Sequence, residues 1–337
     1  MRILAIGATG FIGRHVVDVL LRSGHCVAIL HRGETNAMGP DEVQHVFGHR
    51  ARLSDVVEDF RRFGPDVVLD MILFTERQAP EVVNALRGMS VRLVVVSSAD
   101  VYRNYDGFRL KPTAQPDPAP LDEDAPLRET RYPYRGHGLS FEHADDYDKI
   151  LVEQVVMNQP DLPATALRLP AVYGPGDKGY RLRPYVQRMA DGRPAILLAD
   201  EQARWRWTRG YVGNVAAAIA LAVTDSRAAG RIYNVGENPT PTEREWVERI
   251  GAAAGWHGKV VTVPSDQLPT DLRQPLDWRY DLHTSTARIR RELGYAEPIS
   301  PQDVWDNTLA WERSHLHEVD RPDYAAEDAV LNTREAV

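Results

Sequence analysis

The chain has 337 residues, 43% of them hydrophobic, and a formal net charge of −8 with acidic and basic residues interspersed. That suffices for one large domain or two coupled ones, and the lack of a basic stripe excludes nucleic acid as an expected partner. No apolar run reaches the ~20 residues of a membrane-spanning helix, and the first, Ile3 to Ile6, is too short for a secretory segment, so a soluble cytoplasmic protein is expected.

The chain opens on strand, glycine turn, helix and strand. Arg2 to Ile6 is a short apolar run, and Gly7, Gly10 and Gly13 follow at three-residue intervals. Val16, Val17, Leu20 and Leu21 continue at helical spacing, Gly24 stands where a left-handed cap belongs, and Cys26 to Leu30 is a second apolar run. Glycines here remove the Cβ that would block a tight turn and the approach of a pyrophosphate to the helix N-terminus. Cys26, the single cysteine, cannot form an internal disulfide. It falls in a strand predicted to be buried, which fits a reducing compartment.

A third strand is predicted at 43–47, a helix at 53–63 closed by Gly64, and a buried strand at 66–73. A helix over 75–86 follows, with Pro80 near its first turn, and then a fifth strand, Arg92 to Ser98. Near-continuous apolar strands alternating with helices predict a doubly wound parallel α/β sheet covered on both faces. Residues 103–140 break the rhythm with prolines, charges and aromatics, and read as a substrate lid or a solvated insertion. A helix is predicted over 145–158 and a sixth strand over 164–169. Beyond them lie short helices near 183–189, a strand at 196–198, a small-residue helix at 212–223 and a strand at 232–235. Thr242 to Glu245 forms a capping box, Ser300-Pro301 caps the next helix, and the tail from His317 has little periodicity.

With these residues in view, the chain resembles the extended short-chain dehydrogenase/reductase family over roughly residues 1–313. Gly7-Ala-Thr9-Gly10-Phe11-Ile12-Gly13 is similar to its phosphate-binding turn, and Ser97-Ser98-Ala-Asp-Val101-Tyr102 to the strand-five motif carrying its catalytic serine. Arg168-Leu169-Pro-Ala-Val172-Tyr173-Gly174-Pro175 is similar to the segment over the nicotinamide, and Tyr211-Val-Gly-Asn214 and Tyr233-Asn-Val-Gly236 fall where the family crosses back to its core. The resemblance implies a Rossmann domain over 1–173 with return segments near 211–236. It also implies a smaller α/β substrate domain over 174–210 and 237–313, a tail over 314–337, and a homodimer. It further implies a tyrosine that exchanges a proton with the substrate while hydride moves at the nicotinamide, a lysine four residues later that lowers the tyrosine pKa, and a serine on the reacting oxygen. Lys149 and Ser98 take the last two places.

Three positions depart from the family pattern. The tyrosine position is Asp145, the acid closing strand two is His31 beside Arg32, and the adenine-facing acid after strand three is His49. With His31 in place of the acid, Arg32 and Arg14 are two cations within expected reach of a 2′-phosphate, so NADP is expected over NAD. On a regular helix Tyr147 points about 200° from Lys149, which leaves Asp145, Tyr147, Tyr132 and Tyr134 as proton-carrier candidates. Arg204, Arg206 and Arg209, interleaved with Trp205 and Trp207, are candidate substrate ligands. No metal site is expected. The expected function is that of an NAD(P)-dependent epimerase/dehydratase or reductase of a sugar nucleotide or other small hydroxy or carbonyl compound. A cofactor-binding sensor or scaffold without redox chemistry is the alternative.

Overall fold

The structure is a computed structural model that describes residues 1–33, 42–89, 91–111, 115–138, 142–318 and 320–335. In chain order, β1 (Arg2–Ile6), α1 (Phe11–Arg22), β2 (Cys26–His31), β3 (Gln44–Phe47), α2 (Val57–Phe63), β4 (Val67–Asp70), α3 (Gln78–Leu86) and β5 (Arg92–Ser98) form the first half. There follow α4 (Arg103–Phe108), α5 (Lys149–Met157), β6 (Ala164–Leu169), β7 (Ala171–Tyr173), α6 (Arg183–Ala190), β8 (Ala195–Ala199), α7 (Asp200–Arg204), β9 (Arg209–Tyr211) and α8 (Val212–Thr224). The chain closes with β10 (Ile232–Asn234), α9 (Glu243–Ala254), β11 (Lys259–Val263), α10 (Ala287–Leu293), α11 (Pro301–Ser314) and α12 (Ala325–Glu335).

Seven strands make one parallel sheet in the order β10-β6-β5-β4-β1-β2-β3. Alternation along β1 explains the two covered faces: Ile3 and Ala5 enter the core with α1 and α8, and Leu4 and Ile6 enter the other with α2, α3 and α5. The strand order reverses between β1 and β4, and a crevice opens at the carboxyl ends of the strands there. After β6 the chain builds two small parallel sheets, β7 with β9 and β8 with β11, and returns to add β10 beside β6.

Five differences from the sequence expectations bear on the site. β4 stops at Asp70 because its Oδ1 accepts the Ile72 N–H at 3.1 Å, a side-chain turn that ends the strand before Leu73. The expected helix from Asp145 begins only at Lys149. The described residues of 103–138 are not wholly solvated. They contain α4 and are tied to the core by Arg128, which has no exposed side-chain surface. The tail forms α12, held by a buried pair between Arg188 and Glu327 at 2.5 Å. Cys26 is exposed, since it is the first residue of β2 and stands outside the helical cover.

Candidate active site

The glycine turn is closed on two sides and open on one. Gly7 has φ +75°, and a Cβ at Gly13 would sit 2.5 Å from the Ala8 backbone, whereas nothing lies within 4 Å of the Cβ position at Gly10. Gly10 is the N-cap of α1, so the open face lies at a helix N-terminus where backbone N–H groups attract an anion. A groove runs from this turn in two directions. Toward β5 it is lined by Phe11, Ile12, Ser98, Tyr147, Lys149 and Leu169, and toward β2 by Thr9, His31, Arg32, His49 and Arg50. Both halves include Gly7, Gly10 and Ile72. An open phosphate cradle between two lined arms fits an extended dinucleotide.

At the β2 end the charges differ from expectation. His31 Nδ1 accepts the Gly33 N–H at 3.2 Å, so its other nitrogen carries the proton toward His45 Nδ1 at 2.9 Å. Burial, then His45, pushes the His31 pKa down, so the ring is a neutral donor and not a cation. Arg14 is exposed with its Nε on the Thr9 carbonyl at 2.9 Å, outside the groove. His49 turns inward on its own loop, its Nδ1 accepting the Ala51 N–H at 3.1 Å. Arg32 lines the cavity, as does Arg50, which the sequence reading passed over. Arg50 is buried with Nη2 3.0 Å from Asp70 Oδ2, and its Nε and Nη1 have no hydrogen-bond partner among the described residues. Burial in turn pushes the Asp70 pKa up.

At the β5 end a carboxylate gathers the hydroxyls. Asp100, two residues past Ser98, is 4% exposed, and its Oδ2 accepts from both the Tyr147 and Tyr134 hydroxyls at 2.9 Å. Tyr147 also hydrogen-bonds Ser98, and the Ser98 Oγ accepts the Asp100 N–H at 3.2 Å. Burial and the Asp100 charge push the Tyr147 pKa well up, so the hydroxyl keeps its proton in this arrangement. Lys149 is buried, with Nζ donating to the Leu73 and Val96 carbonyls at 2.8 Å and lying 5.8 Å from the Tyr147 ring centre. Desolvation lowers its pKa to about 8.

Tyr147 reaches this cluster because α5 starts late. Asp148 is the N-cap, its Oδ1 accepting from Ile150 and Leu151, and Tyr147 before it is extended at φ −65°, ψ 123°. The regular-helix expectation, which turned Tyr147 away from Lys149, is therefore corrected. Asp145 is exposed on a 3-10 turn, accepting the Gly136 N–H at 2.8 Å away from the groove. Tyr132 points out to Glu76 at 3.2 Å.

A separate cavity of about 340 Å³ adjoins the cluster, walled by Tyr105, Phe108, Trp205, Trp207 and Trp278. Of the expected substrate arginines only Arg209 lines it, and its Nη2 is 2.5 Å from buried Glu243. Arg206 donates to the Thr240 carbonyl at 2.6 Å, and Arg204 is exposed at the end of α7. Neither lines the cavity. Asp100, Phe108 and Trp278 were missed in the sequence; an acid two residues past the strand-five serine was the available signal for the first.

Residues 3–236 match the model of the NAD dependent epimerase/dehydratase family. The 2′-dehydrokanamycin reductase of Streptomyces kanamyceticus is 28% identical over 308 residues, covering 89% of this chain and 79% of the relative. The dTDP-glucose 4,6-dehydratase of Streptomyces griseus is 26% identical over 340 residues, covering 93% and 94%. A short-chain dehydrogenase/reductase superfamily protein from Agrobacterium tumefaciens with bound NAD shares the fold at a TM-score of 0.67 and 21% identity, covering 94% and 99%. The chain thus belongs to the NAD dependent epimerase/dehydratase family of extended short-chain dehydrogenases/reductases, with the seven-stranded parallel sheet that its solved relatives share.

Proposed function

We propose that this enzyme carries out hydride transfer between a nicotinamide cofactor and a hydroxyl or carbonyl carbon of a sugar nucleotide or other small compound, with Tyr147 as the proton carrier in place of a tyrosine at 145. The observation that carries the reading is the shared hydrogen bonding of the Tyr147 hydroxyl to Asp100 and Ser98, beside buried Lys149. When bound, the nicotinamide would supply or accept the hydride. Gly10 and the N-terminus of α1 would hold the pyrophosphate, and Leu169 would lie along the nicotinamide side of the groove.

In the reducing direction Tyr147 gives its proton to the substrate oxygen while Ser98 donates a hydrogen bond to the same atom. Asp100 holds the Tyr147 hydroxyl in place beforehand, and Lys149 offsets the negative charge left on the phenol. In the oxidising direction the same groups take the proton back. Relatives named for dTDP-glucose and for 2′-dehydrokanamycin support both a nucleotide-bearing and a nucleotide-free substrate.

NADP(H) is the proposed cofactor. No carboxylate closes β2, which removes the group that would repel a 2′-phosphate, and Arg32 and Arg50 both line that arm of the groove. Homodimerisation and a cytoplasmic location are proposed from the family resemblance.

Single-turnover assays with Tyr147→Phe, Tyr134→Phe, Asp145→Asn and Ser98→Ala test the reading. Tyr147→Phe is expected to slow the hydride step by roughly 10²-fold or more, Ser98→Ala to slow it less, and Asp145→Asn to leave it near wild type. A Tyr147→Phe protein that turns over normally defeats the assignment.

A further inference from the structure

We propose that the aromatic cavity beside Asp100 takes a flat aromatic ring carrying a single carboxylate, so that the substrate class is an aromatic acid and not a nucleotide diphosphate. The inference rests on the hydride-transfer reading above and narrows its substrate.

The wall is rigid. Trp205 is buried, its Nε1 donating to the Tyr280 carbonyl at 2.9 Å, and it stacks on Phe108 with ring centres 4.8 Å apart and planes 3° apart. Those two rings satisfy each other. Trp207 and Trp278 lie 5.5 and 5.1 Å from Trp205 and are only half-buried, which leaves indole surface open on the cavity side. Fixed indoles offer a planar ligand contact area with little ordering cost.

The charges in the cavity count against a diphosphate. Arg209 is neutralised by Glu243 at 2.5 Å and Arg181 by Asp177 at 2.5 Å. Arg109 is the third lining arginine and has no carboxylate within ion-pair distance among the described residues. Its guanidinium lies over the Tyr105 and Tyr134 rings, 5.2 and 4.8 Å from their centres. One uncompensated guanidinium matches one carboxylate, whereas a diphosphate brings two charges and needs a second cation. Arg109 also stands at the right border: Tyr134, beneath it, shares the Asp100 oxygen with Tyr147. A carboxylate there and a ring on the indoles keep the ligand between the aromatic wall and the proton-carrying cluster. The volume, about 340 Å³, lies at the small end for ligand cavities and suits one or two rings.

The test is calorimetric titration of the cofactor-free full chain with trans-cinnamate, methyl cinnamate, UDP and dTDP. Cinnamate is expected to bind at least about tenfold more tightly than its ester, the effect of one charge-assisted contact. Arg109→Met should weaken cinnamate by about tenfold and leave the ester within about twofold, and Trp278→Leu should weaken both. The wild-type acid-to-ester ratio decides the matter even if a variant fails to fold. Tighter binding of UDP or dTDP than of cinnamate, an acid-to-ester ratio near one, or no binding by either aromatic overturns the proposal. None of those results touches the hydride-transfer reading, which falls instead if NADPH and NADH both fail to bind in separate titrations.

Discussion

Arg128 and Asp148 form a bidentate pair with no exposed side-chain surface, Nη2 to Oδ1 at 2.9 Å and Nη1 to Oδ2 at 3.1 Å, and this pair sets where α5 begins. The same carboxylate caps Ile150 and Leu151 and accepts the Tyr132 N–H at 2.8 Å. A residue of the proline-rich segment thus holds the N-cap that delays the start of α5 to Lys149 and leaves Tyr147 extended, with its hydroxyl on Asp100. Arg128→Met leaves a buried carboxylate without its cation and is expected to cost about 3 to 5 kcal/mol in denaturant unfolding. A loss under about 1 kcal/mol would mean that Asp148 caps α5 without help.

The Lys149 ammonium titrates near 8 in the folded protein because burial disfavours its charge. Its folded pKa is below its unfolded one, so between about pH 8 and the ordinary lysine value near 10.4 the unfolded chain binds more protons. The sign follows: the cost of burying the charge is present below pH 8 and is relieved as pH rises. Thermal melts from pH 7 to 10 should show Lys149→Met gaining on wild type most at the acid end, with the difference shrinking through this window. A pH-independent difference contradicts it.

Glu312 on α11 is 1% exposed, and neither carboxylate oxygen has a hydrogen-bond partner among the described residues. Burial raises its pKa to about 7 against the lowering effect of Arg183, with Asp177 adding to the rise. A carboxyl whose folded pKa is raised loses stability as pH climbs from its ordinary value toward 7, since the unfolded chain ionises first. Glu312→Gln should therefore match wild type near pH 4 and melt higher above pH 7. Parallel melting curves across that range would show that Glu312 titrates alike in the folded and unfolded chains.

For the cofactor, NADPH is expected to bind more tightly than NADH. Arg32→Glu should weaken NADPH by roughly tenfold or more while changing NADH by less than about twofold, because only the former carries the 2′-phosphate. Equal affinities in wild-type calorimetry, or tighter NADH, remove the preference.

The first 100 residues were readable because their signals are local. Glycine spacing, apolar strands and caps depend on neighbours within one turn or one pleat, and they led directly to the parallel sheet and to the turn with its open face at Gly10. His31 shows the limit of such reading: its identity excluded an acid at the end of β2, but its lowered pKa comes from burial and then from His45, which reaches it only through the pairing of β2 with β3. Lys149 was similarly legible as a lysine on a helix, while its depressed pKa comes from burial against the β5 and Leu73 carbonyls.

What the sequence by itself determined is the family's architecture, the phosphate turn, and the absence of a tyrosine four places before Lys149. What only the tertiary structure decided is which hydroxyl stands with Ser98 and Asp100 beside Lys149. Helical periodicity assigns Tyr147 to the wrong face, and it fails because a buried guanidinium twenty residues upstream holds Asp148 as a cap. The aromatic cavity was hidden for the same reason. Phe108, Trp205 and Trp278 lie on three distant parts of the chain, and no local periodicity records that their rings meet.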